Sequence, residues 1–489
     1  MADLDLRGLR FDLARVTIEL ESPLSIGTGA PGDFTDVVCV TDANGLPTIP
    51  GSTIAGVLRH LMAAGNDPDH DDVCKQVFGY QERARGAGSA LEVSWAHVHD
   101  RNDCPLPARA PVRKVGTVDE VLDFIAAGVT RDHVRLNGFG TVDDRGKHDV
   151  SAVPVGARFT FEIIRHDGCP VTPAQLVDLL NGPTARFGSG TRRGNGRFKV
   201  VRALHSTFDL RKAADRDALA RIPRDIGGHI PDGVLQPMKF GDGIAEGFCT
   251  GTIELVPEDF WLVGGGAPEA LSDVGGTGSE LRPLANDVAE SVDMAPLTEK
   301  RIDWATTPAT VSGPRFVLPA SAIKGALRHR TAFHAWRLRE EWALAIARRA
   351  NEVPEEVDVL FGVIRSKTEG RPGRLVIDDA WPARGGPMPI DHVSIDRFSG
   401  GPLDGHLFRE APLSDSGAIE IAIQLDCRRA IGQARLDDEV GKRALAAFRA
   451  ALDDLCQGRL ALGGGASRGH GYFKGTVRWA GSNPLEEDA

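Results

Sequence analysis

The chain has 489 residues, with 57 Lys and Arg against 68 Asp and Glu, which leaves a net charge of −11. That length predicts about two to four domains, and a hydrophobic content of 42% with 26% charged residues excludes wholesale disorder. No apolar run approaches the roughly 18–20 residues of a membrane span, the acidic start lacks the charge pattern of a signal peptide, and the 7 cysteines form no CxxC pair. We therefore expect a cytoplasmic protein without a disulfide scaffold, whose acidic total still permits a local basic groove.

The first half of the sequence predicts six elements in chain order. They are a strand over 13–20, a helix over 52–64, strands over 91–98 and 158–164, a short helix after Thr172 and a closing strand over 197–204. Val16, Ile18 and Leu20 alternate along the first strand, and Ser52 is the predicted N-cap of the first long helix. The order βαββαβ is that of a ferredoxin-like fold.

The same motifs return in the second half, which indicates a tandem duplication. Residues 49–60 match 318–329 at seven of twelve positions, and residues 187–199 match 462–474 at seven of thirteen. The second unit is predicted to have its elements over 251–256, 321–347, 374–380, 417–425, 438–456 and 472–479. The interpretation is an α+β protein of tandem ferredoxin-like (RRM-like) units with loop insertions and Gly-rich loops: a first unit over 1–205, a linker over 206–246, a second unit over 247–480 and a polar tail over 481–489.

Each unit ends in a Gly-rich loop with basic residues, a composition that suits contact with phosphate groups. Glycine lets a backbone approach a ligand closely and exposes N–H groups. Neither loop opens a helix or contains a Walker A lysine, so a nucleotide-binding P-loop is excluded. The alternative is a flexible turn with solvated arginines. The loop residues predicted to contact a polyanion are Gly188, Gly190, Arg192, Arg193, Gly194, Lys199, Gly463, Gly465, Arg468, Gly469 and Lys474.

The helix after each Pro-x-Ser motif offers a second set of phosphate contacts. A helix N-terminus presents unpaired N–H groups, and basic residues along a polar face can follow a phosphate backbone. The alternative is a capped amphipathic helix whose basic side chains face solvent. The residues predicted to bind on these helices are Ser52, Arg59, Ser321, Lys324 and Arg328.

Several of these segments resemble the RAMP superfamily (repeat-associated mysterious proteins) of CRISPR–Cas systems. The resemblance is carried by the Ser-Ile-Gly-Thr-Gly segment at 25–29, the Pro-Gly-Ser motif at 50–52 and the terminal Gly-rich loops. Residues 392–401 are similar to a segment typical of the backbone subunits of type III effector complexes. The resemblance implies a ferredoxin-like core, guide-RNA binding along a filament, and a β-hairpin thumb that interrupts the guide–target duplex. It also implies that some members cut target RNA with an aspartate and a divalent metal.

The resemblance places the cutting aspartate in the loop between the first strand and the Pro-Gly-Ser helix. Asp36 best matches this position and is the predicted metal-binding residue, for Mg²⁺ or Mn²⁺, with Asp33 as the second choice. Asp42 precedes Asn-Gly, a hairpin-turn signal, and is interpreted as structural. A carboxylate can hold the metal or a water beside the scissile phosphate and help to align the 2′-OH for in-line attack. For any single loop aspartate, the alternative is a solvated turn or an Asx cap.

The corresponding loop of the second unit is 34 residues longer and departs from this pattern. It offers Asp287, Asp293 and Asp303, of which Asp303 lies nearest the Pro-x-Ser helix and is the predicted catalytic residue. Two alternatives stay open: a second active site, or a second unit that only binds RNA.

A loose group of histidines and cysteines in the first unit raises zinc as a further cofactor. Its spacing matches no zinc finger, and packing on one face of a strand explains His97 and His99 equally well. The group consists of His70, Cys74, His97, His99 and Cys104.

Together these patterns predict a two-unit backbone subunit of a type III CRISPR–Cas complex, which binds guide RNA and cleaves the paired target as a metal-dependent endoribonuclease. The expected partners are CRISPR guide RNA, complementary target RNA and other subunits of the complex, with no membrane. The first alternative is a non-catalytic RNA-binding subunit. The second is an endonuclease that processes CRISPR precursor RNA without a metal.

Overall fold

The computed structural model describes residues 9–29, 36–63, 69–82, 85–107, 119–137, 141–241, 243, 247–275, 279–341, 352–364, 370–428, 430–431, 434–481 and 483–485. The described elements up to residue 241 are β1 (Arg10–Leu20), α1 (Gly51–Met62), α2 (Asp69–Phe78), β2 (Tyr80–Glu82), β3 (Arg85–Ala87), β4 (Leu91–Val93), β5 (His97–Val98), α3 (Glu120–Ala127), β6 (Val129–Leu136), β7 (Val142–Ala152), β8 (Arg158–His166), α4 (Pro173–Leu180), β9 (Phe198–Asp209), α5 (Ala213–Ala220) and β10 (Gln236–Pro237).

The first element after residue 246 is β11 (Phe248–Pro257). The described elements that follow it are β12 (Gly264–Gly266), β13 (Glu280–Leu281), α6 (Asn286–Glu290), β14 (Ala295–Pro296), β15 (Thr298–Glu299), β16 (Ile302–Asp303), β17 (Thr310–Val311), β18 (Arg315–Phe316), α7 (Ala320–Leu338), α8 (Glu355–Phe361), β19 (Gly362–Ile364), β20 (Gly370–Pro372), β21 (Leu375–Ile377), β22 (Arg384–Pro387), β23 (Ile390–Ile395), β24 (Pro402–Glu410), β25 (Leu413–Ser414), β26 (Ile419–Asp426), β27 (Ala430–Ile431), β28 (Ala434–Arg435), α9 (Glu439–Cys456) and β29 (Phe473–Trp479).

Both units contain the antiparallel sheet of the ferredoxin-like fold. In the first unit the strands lie in the order β9-β1-β8-β4, and in the second they lie in the order β29-β11-β26-β21. The first strand of each unit therefore lies between that unit's third and last strands, and the predicted βαββαβ fold is confirmed. Val16 and Ile18 are fully buried on β1, as their alternation predicts.

The Pro-x-Ser helices begin earlier than predicted. The helix α1 starts at Gly51 with Pro50 as the N-cap, so Ser52 lies exposed in the first turn and its prediction as N-cap is wrong. The physical reason is that the Pro50 carbonyl already accepts the first helical hydrogen bond, from the N–H of Ile54 at 3.2 Å. In α7 a carboxylate from outside the helix supplies the cap: the backbone N–H of Ala320 donates to Oδ1 of Asp379 at 2.8 Å.

The segment predicted as a linker is folded onto the first unit. The strand β9 continues to Asp209, and β10 pairs with it at the edge of the sheet. Phe208, Val234 and Leu235 form a small buried cluster with Leu13 of β1. The described part of this segment is thus a covering layer of the first sheet.

Part of the long loop in the second unit packs into the first unit. The strands β16 and β17 form a short hairpin, called here the docking hairpin, whose Ile302 N–H donates to the carbonyl of Val155 at 3.0 Å. The indole Nε1 of Trp304 donates to the carbonyl of Gly156 at 2.7 Å. Ile302 and Ala309 belong to the buried apolar cluster of the first unit, so the second unit completes the core of the first.

A buried ionic network joins the two units across the same boundary, called here the junction. The guanidinium of Arg131 on β6 donates to Glu299 at 2.6 and 2.9 Å and pairs with Asp379 at 2.8 Å. Burial opposes the charged form of Arg131, but Asp379 and Glu299 outweigh it and raise the pKa of that guanidinium. Burial also raises the pKa of Asp379, whose Oδ1 accepts the cap bond of α7.

Replacing Arg131 with Met should destabilise the whole chain by about 3–5 kcal/mol, because two buried carboxylates lose their counter-charge. Urea denaturation followed by circular dichroism measures the loss. Lys147→Met is the matched control on the same hairpin, since Lys147 is 70% exposed and its removal should cost less than about 0.5 kcal/mol. Equal denaturation midpoints for the two variants would contradict the structural role of the network.

Candidate nucleic-acid interface

The two Gly-rich loops have one backbone geometry, which explains their glycines. We call residues 187–197 the first glycine loop and residues 462–472 the second. In each, a single 3₁₀ turn lies between two glycines in the left-handed region. Each loop is also anchored to the chain after the unit's first strand: Ser189 N–H donates to Ser25 O, and Gly464 N–H donates to Leu262 O, both at 2.7 Å. The described loops are therefore anchored turns in which the positive φ angles demand glycine.

The first glycine loop lies inside the junction. A Cβ on Gly194 would lie 2.8 Å from Cβ of Ala320 and 2.9 Å from Asp379, so only glycine allows this approach. Arg186 and Arg197 both pair with Asp378 of the second unit, at 2.7 and 2.9 Å. Two arginines at the ends of the first glycine loop thus balance an acid of the other unit.

Lys324, a predicted RNA contact, is buried in the same place. Its ammonium donates to the carbonyls of Arg192 at 2.8 Å and Leu375 at 2.6 Å. Burial, together with the nearby charges of Arg192 and Arg193, lowers the pKa of Lys324 to about 7. The residue therefore links the first glycine loop to α7 and to β21.

Next to this contact, the two units line a solvent-open cavity of about 500 Å³, called here the basic cavity. The helix α1 and the first glycine loop supply one wall, and the second unit supplies the other through β21, β26 and Arg428. None of the described residues that line it is acidic. Nη1 of Arg192 and Oε1 of Gln424 are buried there without a hydrogen-bond partner among the described residues. Such orphan groups mark a place where a polar ligand would find partners.

The other predicted contacts divide into accessible and paired residues. Ser52 and Arg59 are exposed on α1, and Arg193 is exposed on the first glycine loop. Burial lowers the pKa of Arg328, which lies half-buried on α7 near Arg135 of β6. Three basic residues already have a carboxylate partner: Lys199 pairs with Glu19 at 2.8 Å, Lys474 with Glu258 at 2.5 Å and Arg468 with Glu410 at 2.6 Å.

A long hairpin projects from each unit, formed by β6–β7 in the first and by β23–β24 in the second. The two hairpins are equivalent, since His133 stacks on His148 at 5.2 Å and His392 stacks on Phe408 at 4.9 Å. Both carry exposed apolar side chains, and Phe398 in the second is 98% exposed. The exposed apolar residues on the hairpins are Val134, Leu136, Val142, Val393, Ile395, Phe398, Leu403 and Leu407.

Asp36 lies at the base of the first hairpin beside a second carboxylate. Its N–H donates to Oδ1 of Asp149 at 3.0 Å, and the N–H of Asp149 donates to Oδ2 of Asp36 at 3.2 Å. The bond from Asp36 N–H holds the pKa of Asp149 below its usual range, so this carboxylate is ionised at neutral pH. The sequence did not identify Asp149 as a site residue. It lies 113 residues from Asp36 along the chain, and no motif connects the two.

The second unit repeats this backbone arrangement with Asp293. The backbone N–H of Arg409 donates to Oδ2 of Asp293 at 2.7 Å, just as Asp149 does to Asp36. The next residues also agree, because Met294 bridges Glu410 in parallel where Val37 bridges Val150. Asp293, which the sequence offered as one of three choices, is therefore the structural counterpart of Asp36. Asp149 is replaced by Arg409, whose guanidinium pairs with Asp391.

The predicted Asp303 lies at a different place, on the docking hairpin. Its Oδ1 accepts the N–H of Ala305 at 2.9 Å, an Asx-type turn. It lines a cavity of about 580 Å³ that contains both acids and bases, among them Glu19, Arg158 and Asp378. Asp33 lies outside the described residues.

Of the residues considered for zinc, His99 and Cys74 make other contacts. The ring of His99 contacts Asp103 at 2.8 Å and the hydroxyl of Thr160 at 2.7 Å, and Cys74 lies in the apolar core. Among the described side chains, which do not include that of His70, no three or more His, Cys, Asp or Glu lie together where they could hold a metal ion.

Comparison with family models identifies both units. The RAMP superfamily model matches residues 17–199 and 234–474, most of the chain. The chain belongs to the RAMP superfamily. Each matched region covers most of one ferredoxin-like unit, so the CRISPR-associated RNA-binding role of the family applies to two fused units. The comparison with curated proteins gave no match.

In this RAMP protein the described helices are all too short or too polar to cross a bilayer. The basic cavity and the two hairpins belong to the matched regions. The interface proposed from the sequence is thus composed of elements from both RAMP units.

Lys324 should make the stability of this RAMP protein depend on pH. The unfolded chain keeps the lysine proton up to its ordinary pKa of 10.5, whereas the folded chain releases it near pH 7. The unfolding free energy should therefore rise between pH 7 and 10, by up to about 1.4 kcal/mol per pH unit. Lys324→Met should remove this rise, and urea denaturation at pH 7, 8 and 9 measures it. Lys199→Met is the control, and identical slopes in wild type and Lys324→Met would contradict the prediction.

Proposed function

We propose that this RAMP protein is a guide-RNA-binding backbone subunit of a type III CRISPR–Cas effector complex, and that its first unit cleaves the paired target RNA. The observation that carries the proposal is the basic cavity, which has walls from both units and contains Nη1 of Arg192, buried without a hydrogen-bond partner among the described residues. A polyanion that crosses the boundary between units would supply those partners.

The guide would be bound through its phosphates. Within the described part of the chain, Nη1 of Arg192 has no hydrogen-bond partner in the basic cavity, and Arg193 is exposed beside it. Phosphate contacts position a nucleic acid without reading its sequence, so the bases stay available for pairing with the target. Sequence specificity then comes from the guide and not from the protein.

The hairpins would act as the thumbs expected from the resemblance. Their exposed apolar side chains, including Phe398, Ile395 and Val142, are costly in water and have no buried role in the described chain. Apolar side chains can insert between base steps and unstack them. Each hairpin would therefore interrupt the guide–target duplex once, which divides the target into segments.

The residues around Asp36 fit a divalent metal of the Mg²⁺ type. Asp36 is exposed, Asp149 is half-exposed, and both present carboxylate oxygens, the ligands that hard cations prefer. A bound Mg²⁺ or Mn²⁺ would neutralise charge at the scissile phosphate. The two backbone N–H bonds between Asp36 and Asp149 fix both side chains, so that they can orient the 2′-OH of the RNA for in-line attack.

The second unit lacks the second carboxylate at this position. Arg409 occupies the place of Asp149, and its guanidinium, which pairs with Asp391, offers no oxygen ligand to a metal ion. We therefore expect one metal-dependent cut from each chain, made at the first unit, and a second unit that binds RNA without cutting it.

Removing Arg192 should weaken RNA binding and reduce its dependence on salt. Each lost phosphate contact should make the slope of log K against log salt shallower by about 0.7 for single-stranded RNA. Arg192→Ala and Arg193→Ala should both show this change, whereas Arg468→Ala should show less, because Glu410 already balances that charge. Fluorescence anisotropy with a labelled single-stranded RNA measures the slopes.

The matched control is Arg211→Ala, which removes a surface arginine that pairs with Asp209 and lies outside the basic cavity. Its slope should equal that of wild type. If Arg192→Ala and Arg211→Ala change the slope equally, the cavity does not hold the guide.

The cleavage proposal is tested by mapping target fragments made by the assembled complex in Mg²⁺. Asp36→Asn should reduce one cut by at least about a hundredfold, and Asp149→Asn should raise the Mg²⁺ concentration needed for it. Asp293→Asn and Asp303→Asn should leave the pattern unchanged. Guide binding should survive in all four variants, because these carboxylates add no attraction for phosphate.

Any other cleavage pattern would indicate a different function. A cut lost in Asp293→Asn or Asp303→Asn would place a second active site in the second unit. Unchanged cutting in Asp36→Asn would reject Asp36, and a complex that cuts no target would be a purely structural assembly. Cleavage of repeat RNA by the isolated chain in EDTA would instead indicate precursor processing.

A further inference from the structure

Two cysteines meet at one end of the second sheet, although they lie far apart in the sequence. Cys249 is on β11, and Cys427 directly follows β26. The two residues are 178 positions apart, yet their Sγ atoms are 2.6 Å apart, and both are thiols in this structure. The absence of a CxxC pair therefore gave no information about this contact, because it is made by the fold and not by local spacing.

The pairing of the strands brings the two thiols together. Cys249 lies opposite Leu425 in the ladder, and the N–H of Cys427 donates to the carbonyl of Gly247 at 2.8 Å, which continues the same register. Side chains two positions apart on a strand point to the same face of the sheet. Both sulfurs thus lie on the face of the buried Leu425, and backbone hydrogen bonds hold them there.

The position of the pair also leaves it within reach of a small reagent. Cys249 and Cys427 are both partly exposed, whereas Cys39, Cys74 and Cys169 are buried. Because the register already places the sulfurs in contact, a bond between them requires little movement of either strand. Accessible, adjacent thiols of this kind are the ones that small oxidants convert into disulfides.

We propose that Cys249 and Cys427 form a redox site, at which a peroxide converts the two thiols into a reversible disulfide. The Cys249 thiolate attacks one peroxide oxygen, the O–O bond breaks, and a sulfenic acid and one water result. The sulfur of Cys427 then attacks the sulfenic sulfur, so that the S–S bond forms as the S–O bond breaks. The hydroxide leaves with the Cys427 proton as a second water, and the two thiols together have passed two electrons to the peroxide.

The contacts between the thiols support this order of events. The S–H of Cys427 donates to Sγ of Cys249, a bond that stabilises negative charge on Cys249. Burial, together with the neighbouring Cys249, raises the pKa of Cys427, which therefore keeps its proton until the second step.

The disulfide would close a loop that contains the contacts between the units. The docking hairpin, Glu299 and Asp379 all lie between the two cysteines in the chain. A cross-link across so long a segment restricts the unfolded chain and stabilises the folded one. Oxidation should therefore strengthen the junction. This inference rests on strand pairing and is independent of the RNA-binding function.

The bond would also fix one wall of the basic cavity. Phe248 and Arg428 line that cavity, and each is the neighbour of one cysteine. The guanidinium of Arg428 lies 5.3 Å from the centroid of the Phe248 ring. Their side chains point to the opposite face of the sheet from the sulfurs, so the disulfide would hold this wall without entering the cavity.

Treatment of the full chain with hydrogen peroxide tests the proposal. Peptide mapping without reduction should find a peptide that joins Cys249 to Cys427, lighter by two hydrogen atoms than the separate peptides. Dithiothreitol should restore both thiols. In urea, the denaturation midpoint of the oxidised chain should exceed that of the reduced chain by at least roughly 0.5 M, and reduction should reverse this shift.

Cys249→Ser and Cys427→Ser should each lose both the linked peptide and the shift in midpoint. Cys104→Ser is the matched control, since it removes an exposed cysteine outside the pair and should keep both. Midpoints measured in dithiothreitol check that every variant is folded. The proposal is overturned if both cysteines of peroxide-treated wild type still react with an alkylating reagent, or if they link to other cysteines instead. A midpoint that does not change on oxidation also overturns it.

Discussion

The buried guanidinium of Arg131 fixes the position of one RAMP unit against the other. It bonds to Glu299 from the long loop and pairs with Asp379, which in turn caps α7. Once this charge is removed from water, only a geometry that keeps both carboxylates close is tolerated. The basic cavity depends on that geometry, because α1 and the first glycine loop form one wall and the second unit forms the other. A shift between the units would open the cavity before it disturbed either sheet.

Duplication kept the backbone of the RAMP unit while its side chains diverged. The glycine loops keep the same left-handed positions and the same anchoring bonds, because the turn cannot form without them. The aspartate at the hairpin base also keeps its backbone contact, in Asp36 and again in Asp293. What differs is the neighbour, a carboxylate in one unit and Arg409 in the other. Equivalent backbone sites thus acquired opposite electrostatic character.

The fold was predictable from the sequence because its signals are local. Alternation along β1 and the repeated Pro-x-Ser and Gly-rich motifs identify strands and helices without any long-range information. The interface was only partly predictable. Lys324 has the positive charge expected of a phosphate contact, and nothing in the sequence indicates that its ammonium bonds to the Arg192 carbonyl of the other unit. Asp303 is the aspartate nearest to the Pro-x-Ser helix along the chain. The counterpart of Asp36 is instead Asp293, which is identified by its bond to the second hairpin. That bond joins residues more than 100 positions apart.

The docking hairpin has a consequence for how the chain is made. Ile302 and Ala309 fill part of the first unit's core, yet they are synthesised after all of that unit has left the ribosome. Domains usually fold one after another as they emerge. Here the N-terminal sheet would wait with an open apolar site until the loop near residue 309 arrives. The first unit therefore cannot complete its fold in the order in which it is synthesised. The two halves should instead gain and lose their native structure as a single cooperative unit.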